Sequence, residues 1–491
     1  MTDVPSGSML PPAGAAAEAA AAKPLDTKAD PRLARLAWVT RGSLWGATWR
    51  LSLPMIAQVL LGNLYVLVDT FFVGRLGASA LSAVGVSGNI VGLLWTMATG
   101  VVTGSSAMIS QAVGAGDRPR AQVAAGQSMF LALILSILSM VLIPLASQSM
   151  ILLGAQGDSV EQGAAFLRIT VAMSFAMYLS IVLSWALRGA GDAMTPLWVL
   201  GATNVLNALL DWPLIFGLGP IPAMGVSGAA LATGLSQCVS AAVLAWVFFF
   251  GRRGVFALHL SDLRPRWKTL WQMFTIGIFG SARMFMLNVS GLALTRIVTA
   301  FGTATYAAYT IGWRLRMLVL ALGLGAFGGA AMILVGQNVG AGKIRRAEQA
   351  GWMTTGIFAA IAAVGACFMF FLGGPLMRCF TKDPEVIAAG VGFLKWTAFS
   401  IVFLSPSTVL GRAMNGAGDT FWPMLVTFLT MLLLRVPLAY GLAHVWHSVG
   451  VWVALAASEV LQGGIIAIAY HWGRWKIIGR RQVAAVLETE T

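Results

Sequence analysis

The chain has 491 residues, of which 58% are hydrophobic and only 10% charged, whereas soluble domains need roughly 25% charge to build a solvated surface. That deficit excludes a water-exposed globule and points to the bilayer as solvent. The formal charge of +14 does not read as a nucleic-acid footprint, because the basic residues stand at the ends of apolar runs, as topology signals do.

In chain order, residues 1–40 come first, rich in Ala and Pro. They lack a basic start followed by an apolar core, so they are expected to be a disordered cytoplasmic tail and not a signal peptide. Six apolar runs of spanning length follow near 47–73, 80–108, 121–147, 163–187, 195–219 and 225–250, since a crossing helix needs about 20 residues. Six more fall near 270–299, 304–335, 350–373, 388–413, 420–444 and 450–473. The runs are too long for barrel strands and do not alternate, so the predicted fold class is all-α integral membrane, with twelve transmembrane helices. The predicted units are an N-terminal six-helix bundle (41–250), a linker (251–268), a C-terminal six-helix bundle (269–475) and a C-terminal tail (476–491).

Alternate loops collect Arg118, Arg120, Arg252, Arg253, Lys343, Arg345, Arg346, Arg474 and Lys476, while the opposite side has little beyond Arg75, Arg378 and Lys382. The basic side is expected to be cytoplasmic, with both termini there. Cys238, Cys367 and Cys379 have no paired or metal-ligand spacing, and His259, His444, His447 and His471 form no cluster with the acids. Neither a metal centre nor enzyme chemistry is expected, and nothing requires more than a monomer.

The halves repeat. SQAVGAGDRPRAQ (110–122) recurs as GQNVGAGKIRRAE (336–348), and ALRGAGDAMTP (186–196) as AMNGAGDTFWP (413–423). Six spans per half give both halves the same orientation, so a pseudo-twofold axis along the membrane normal is expected, with a cavity between them. In the GAGD turns, Asp192 and Asp419 read as caps of the following helices. Arg188 and Arg412 just before them read as interfacial anchors.

Acids inside spans are the informative positions, since one at a helix centre costs roughly 2.5–3.5 kcal/mol and must face a cavity or a partner. Asp69 lies in the first span and Asp211 in the fifth. Asn204, Asn207 and Asp211 fall at i, i+3 and i+7, a single helical stripe that offers carbonyls and a carboxylate to a proton or small cation. At the repeat offset the second half carries Leu294 and Arg435 in place of the two acids. Glu459 and Arg435 are expected to form a structural ion pair. Arg283, Arg314 and Arg316 either line the cavity or reach to an interface.

The runs LPMIAQVLLGNLYVLVDTFFVGRLG and LRGAGDAMTPLWVLGATNVLNALLDWPLIFGLGPIPAMGVSGAALAT resemble the multidrug and toxic compound extrusion (MATE) family. The resemblance covers essentially everything after the tail. It implies two six-helix bundles and antiport of H⁺ or Na⁺ against small organic compounds, lipophilic and often cationic, with no other cofactor. By position, the family's N-half cation site maps onto Asp69, Asn207, Asp211 and Thr233. Asn204 and Ser184 are accessory positions; at Ser184 relatives often carry Asn. The NorM type also uses carboxylates in the seventh and tenth spans, whereas GIFGSARMFMLNVSG and VFLSPSTVLGR carry none, which resembles the DinF-like type. The competing reading is a flippase for a lipid-linked saccharide, since the same superfamily contains such proteins. It implies a more cationic cavity and a phosphate-bearing substrate.

Overall fold

The computed structural model describes residues 37–250 and 258–478. Most of the stretch expected as an N-terminal tail, residues 251–257 of the expected linker and the chain after 478 lie outside the described residues. The described end of the tail stretch is a short helix, Ala37–Arg41. It is held by Lys343, whose Nζ donates to the Thr40 carbonyl at 2.9 Å, and by Arg346, which donates to the carbonyls of Val39 and Gly42.

Among the described residues, ten helices are long and apolar enough to cross a bilayer. The first three are Leu44–Gly74, Ala78–Ala115 and Arg118–Leu142. Asp158–Ala172 and Ser174–Gly189 meet at a 54° bend and together make the fourth span. Met194–Phe216 and Val226–Phe250 are the fifth and sixth, and Trp267–Thr299, Thr303–Gly340, Ile344–Phe371 and Pro384–Gly416 the seventh to tenth. The last helix, Phe421–Ile478, has 58 residues and would measure about 87 Å if straight, nearly three times the ~30 Å hydrocarbon core. It is not straight. Its backbone leaves helical geometry at Trp446 and His447, the latter at φ +50°. Arg435 Nε donates to Ser458 Oγ at 2.7 Å across 23 residues of chain, a separation that a straight helix would hold about 35 Å apart. The segment is a hairpin of spans eleven and twelve, and twelve crossings result.

The spans form two six-helix bundles. Ile90, Leu94, Leu167 and Val182 belong to a core of the first, and Leu294, Phe393, Leu404 and Trp452 to a core of the second. A third cluster joins them, with Leu51 and Met55 packed among Phe327, Leu334 and Leu410. π-helical turns at Leu322–Phe327 and Phe428–Leu434 widen the eighth and eleventh spans. Such turns insert a residue into the helical ladder and re-aim the side chains that follow.

The halves are sealed at the end from which the loops bearing Arg118, Arg120, Lys343 and Arg345 emerge. Gln111 Nε2 donates to the Gly416 carbonyl at 2.8 Å, and Gln337 Nε2 to the Gly189 carbonyl at 2.9 Å. These two bonds are images of each other under the internal repeat. Beside them Gly114 meets the Gln337 carbonyl and Gly340 meets the Gln111 carbonyl, approaches that leave no space for a Cβ. The GAGD turns bend through Gly191 and Gly418 at φ +98° and +87°, a region that glycine enters without strain. Asp192 then caps the fifth span, accepting from the Met194 and Thr195 N–H groups at 3.1 and 3.0 Å. Asp419 accepts from the Trp422 N–H at 3.4 Å.

Candidate functional site

The fifth span separates its faces sharply. Val205, Leu209 and Trp212 are exposed on the outside, while Thr203, Asn207, Asp211 and Ile215 form a buried row at intervals of four. This is the placement expected when an apolar helix turns its few polar groups away from lipid. The row brings Asp211 and Asn207, 0% and 1% exposed, against the first and sixth spans. Asp69 enters from the first span, half-buried and within electrostatic reach of Asp211. With its amide nitrogen turned toward the carboxylate, Asn207 donates to Asp211 Oδ2 at 3.2 Å, and its oxygen accepts from the Thr233 N–H at 3.3 Å.

Tyr65, one helical turn before Asp69, completes the group. Its hydroxyl meets Thr233 Oγ1 at 2.8 Å, and the ring lies within electrostatic reach of both acids. Neither carboxylate forms an ion pair among the described residues. Asp69 Oδ1 and Asp211 Oδ1 are both buried with no hydrogen-bond partner. A buried carboxylate oxygen in that state is costly unless something positive or protic occupies it.

Thus Asp69, Asn207, Asp211 and Thr233 come together, and the accessory positions do not join them. Asn204 commits its amide to the Leu61 carbonyl at 2.9 Å, tying the fifth span to the first. Ser184 makes no side-chain hydrogen bond to this group. Tyr65 escapes sequence reasoning, although its i, i+4 spacing from Asp69 was the available signal.

In the second half, Glu459 Oε1 accepts from Arg435 Nη2 at 3.2 Å and Glu459 Oε2 from Arg316 Nη2 at 2.6 Å. Ser400 Oγ donates to the same Oε2 at 2.6 Å. Glu459 therefore holds two arginines, where the sequence suggests one. Arg314 is exposed. Arg283 bonds to Thr427 Oγ1 at 3.1 Å and to the Ser407 carbonyl at 3.0 Å. Arg188 and Arg412 are not interfacial anchors. Both turn onto the indole of Trp185, with guanidinium carbons 4.6 and 5.7 Å from a ring centroid, because an indole face attracts cations and the meeting of the two halves brings Arg412 within its reach.

A family model described as MatE matches residues 54–212 and 281–441, one match in each half. The chain is 29% identical over 435 residues, 87% of its length and 92% of the relative's, to a protein named "Probable multidrug resistance protein NorM" in Thermotoga maritima. It is 26% identical over 428 residues, 84% of its length and 91% of the relative's, to a protein of Shewanella oneidensis named "FAD transporter". A solved structure titled "Crystal structure of MATE in the bent conformation" superposes with a TM-score of 0.82 at 25% identity, covering 92% of this chain and 98% of that one. With one model match in each half of a twelve-span repeat, this chain belongs to the MatE family of multi-pass membrane transporters, whose members are not enzymes.

Proposed function

We propose that the chain is a secondary-active exporter of small organic compounds, driven by inward movement of H⁺ or Na⁺ through Asp69 and Asp211. The observation that carries this reading is the pair of orphaned carboxylate oxygens, brought together from the first and fifth spans with no basic side chain paired to either. Two ionised carboxylates at close range in a low-dielectric interior repel each other, and a bound proton or cation relieves that repulsion. Asn207, Thr233 and Tyr65 supply the remaining polar contacts. Ion entry tightens the N-terminal bundle around these residues, changes its fit against the second half and releases substrate outward. Each charge falling through the membrane potential delivers about 2.3 kcal/mol per 100 mV.

The proposal places the protein in a bacterial inner membrane as a monomer, with the sealed, base-rich end and both termini cytoplasmic. It also assigns the chain to the DinF-like type, because the stretches GIFGSARMFMLNVSG of the seventh span and VFLSPSTVLGR of the tenth carry no acid. The flippase alternative draws support from one observation, the arginines at Trp185.

Purified protein in liposomes containing a trapped pH dye tests the reading. Aromatic phosphates, lipophilic cations and neutral aromatics are added under an imposed proton gradient, with and without Na⁺. Substrate-triggered ion flux that disappears in Asp69→Asn is expected. Full coupled flux in that variant removes the assignment.

A further inference from the structure

The junction between the halves carries positive charge that the coupling site does not use. Arg188 and Trp185 come from the fourth span, and Arg412 from the tenth. Under the repeat that pairs Ala186 with Ala413, Arg412 occupies the position of Trp185. Both guanidinium groups lie over that indole. Arg412 is also within electrostatic reach of Arg188 and of Arg283. Arg283 sits against Gly411 and spends its donors on Thr427 and Ser407.

Among the described residues no Asp or Glu forms an ion pair with any of these three arginines, and Arg188 and Arg412 form no hydrogen bond with a protein group. All three, and Trp185, are only partly buried, so they border accessible space. The seal closes directly beneath them. Gly189, next to Arg188, accepts from Gln337, and Gly416, one turn past Arg412, accepts from Gln111.

Two unpaired guanidinium groups at one spot repel each other, and inside a membrane protein such charges face a partner or a wet cavity. Planar forks of this kind match the oxygens of phosphate or carboxylate. The wall beside them is apolar and aromatic, since the Trp185 ring edge and the Met55 methyl converge at Gly329.

We infer that Arg188, Arg412 and Trp185 form the substrate site for an aromatic anion, a ring bearing a phosphate or carboxylate, at the floor of the cleft between the halves. This rests on the exporter reading and reverses the polarity expected of its substrates. The site takes one arginine from each half, so a bound anion bridges them and is released when the halves rearrange.

The test is equilibrium binding to protein in phosphatidylcholine nanodiscs, with no gradient present. The probes are 1-naphthyl phosphate, 1-naphthol and 1-naphthylmethylammonium. Wild type should bind the phosphate about tenfold or more tighter than the naphthol, and the ammonium no tighter than the naphthol. This ranking needs no variant. Arg188→Gln and Arg412→Gln should each weaken the phosphate about tenfold and leave the naphthol unchanged, whereas Trp185→Leu weakens both. Tighter binding of the ammonium than of the phosphate, or unchanged phosphate affinity in both glutamine variants, overturns the inference. Displacement of the probe by equimolar phosphatidic acid in the disc would assign the site to a lipid phosphate and overturn the aromatic claim. The ranking is read on wild type at equilibrium with no gradient, so failure of ion coupling and failure of this site are read separately.

Discussion

The buried cluster in the second half makes a stability prediction whose sign pattern comes directly from charge. Arg316, Arg435 and Glu459 are 0%, 4% and 2% exposed, and the carboxylate bonds both guanidinium groups at 2.6 and 3.2 Å. The trio has one surplus positive charge. Glu459→Gln keeps the shape and leaves two buried cations with no counter-charge. Removing one partner from a buried ion pair costs about 3–5 kcal/mol, and here a single change strips two arginines at once, so the upper end of that range is expected. Arg435→Gln instead leaves Arg316 and Glu459 as a neutral pair that keeps its 2.6 Å contact, and should cost clearly less. The double variant should recover part of the Glu459→Gln loss. Reversible unfolding in mixed micelles of increasing SDS content, followed by tryptophan fluorescence, gives the three values and their coupling. Equal costs for the two single variants, or strict additivity in the double, would refute the argument that the carboxylate neutralises both arginines.

The seal at the base-rich end predicts that Gln111→Ala and Gln337→Ala act alike. Each loses one buried hydrogen bond worth about 1 kcal/mol, so the double variant shifts the sealed population about thirtyfold at ~1.4 kcal/mol per decade. Spin-label distances across the halves would show it. Gly340→Val should prevent closure altogether, because its side chain would enter the Gln111 carbonyl, and a thiol placed at Ser110 should then become reactive to a water-soluble maleimide. Asp192→Ala should cost about 1 kcal/mol as a lost helix cap, measured by the same SDS unfolding. Asp419→Ala should cost less, since its one cap bond is 3.4 Å long. Tyr65→Phe and Thr233→Val remove the two ends of one 2.8 Å bond, so their effects on ion affinity should not add in the double variant.

What the sequence made legible was local or costly. Span lengths, the GAGD caps and the intramembrane acids follow from hydropathy, turn chemistry and insertion energy, all of which act at the residue itself. Asn204 shows the limit of a stripe argument. It lies on nearly the same helical face as Asn207 and Asp211, yet the first span passes close enough for Leu61 to claim its amide. Tyr65 was hidden because a tyrosine in a span reads as interface or packing until its partner on the sixth span is known. Arg316 and Glu459 are 143 residues apart in sequence, and no pattern along the chain marks them as partners. Arg188 and Arg412 fit a position near a membrane interface. Their inward turn depends on where the two halves meet, a property of the assembly that neither repeat reveals alone.

The most direct test of the coupling claim counts ions without any gradient. In weakly buffered nanodiscs, proton release or ²²Na⁺ displacement is measured as a saturating substrate is added to wild type, Asp69→Asn, Asp211→Asn and the helix-cap variant Asp192→Ala. The account predicts that substrate displaces an ion from wild type and from Asp192→Ala, and from neither Asp69→Asn nor Asp211→Asn. Undiminished displacement in both of those last variants would contradict it, because the coupling ion would then reside elsewhere than between the first and fifth spans.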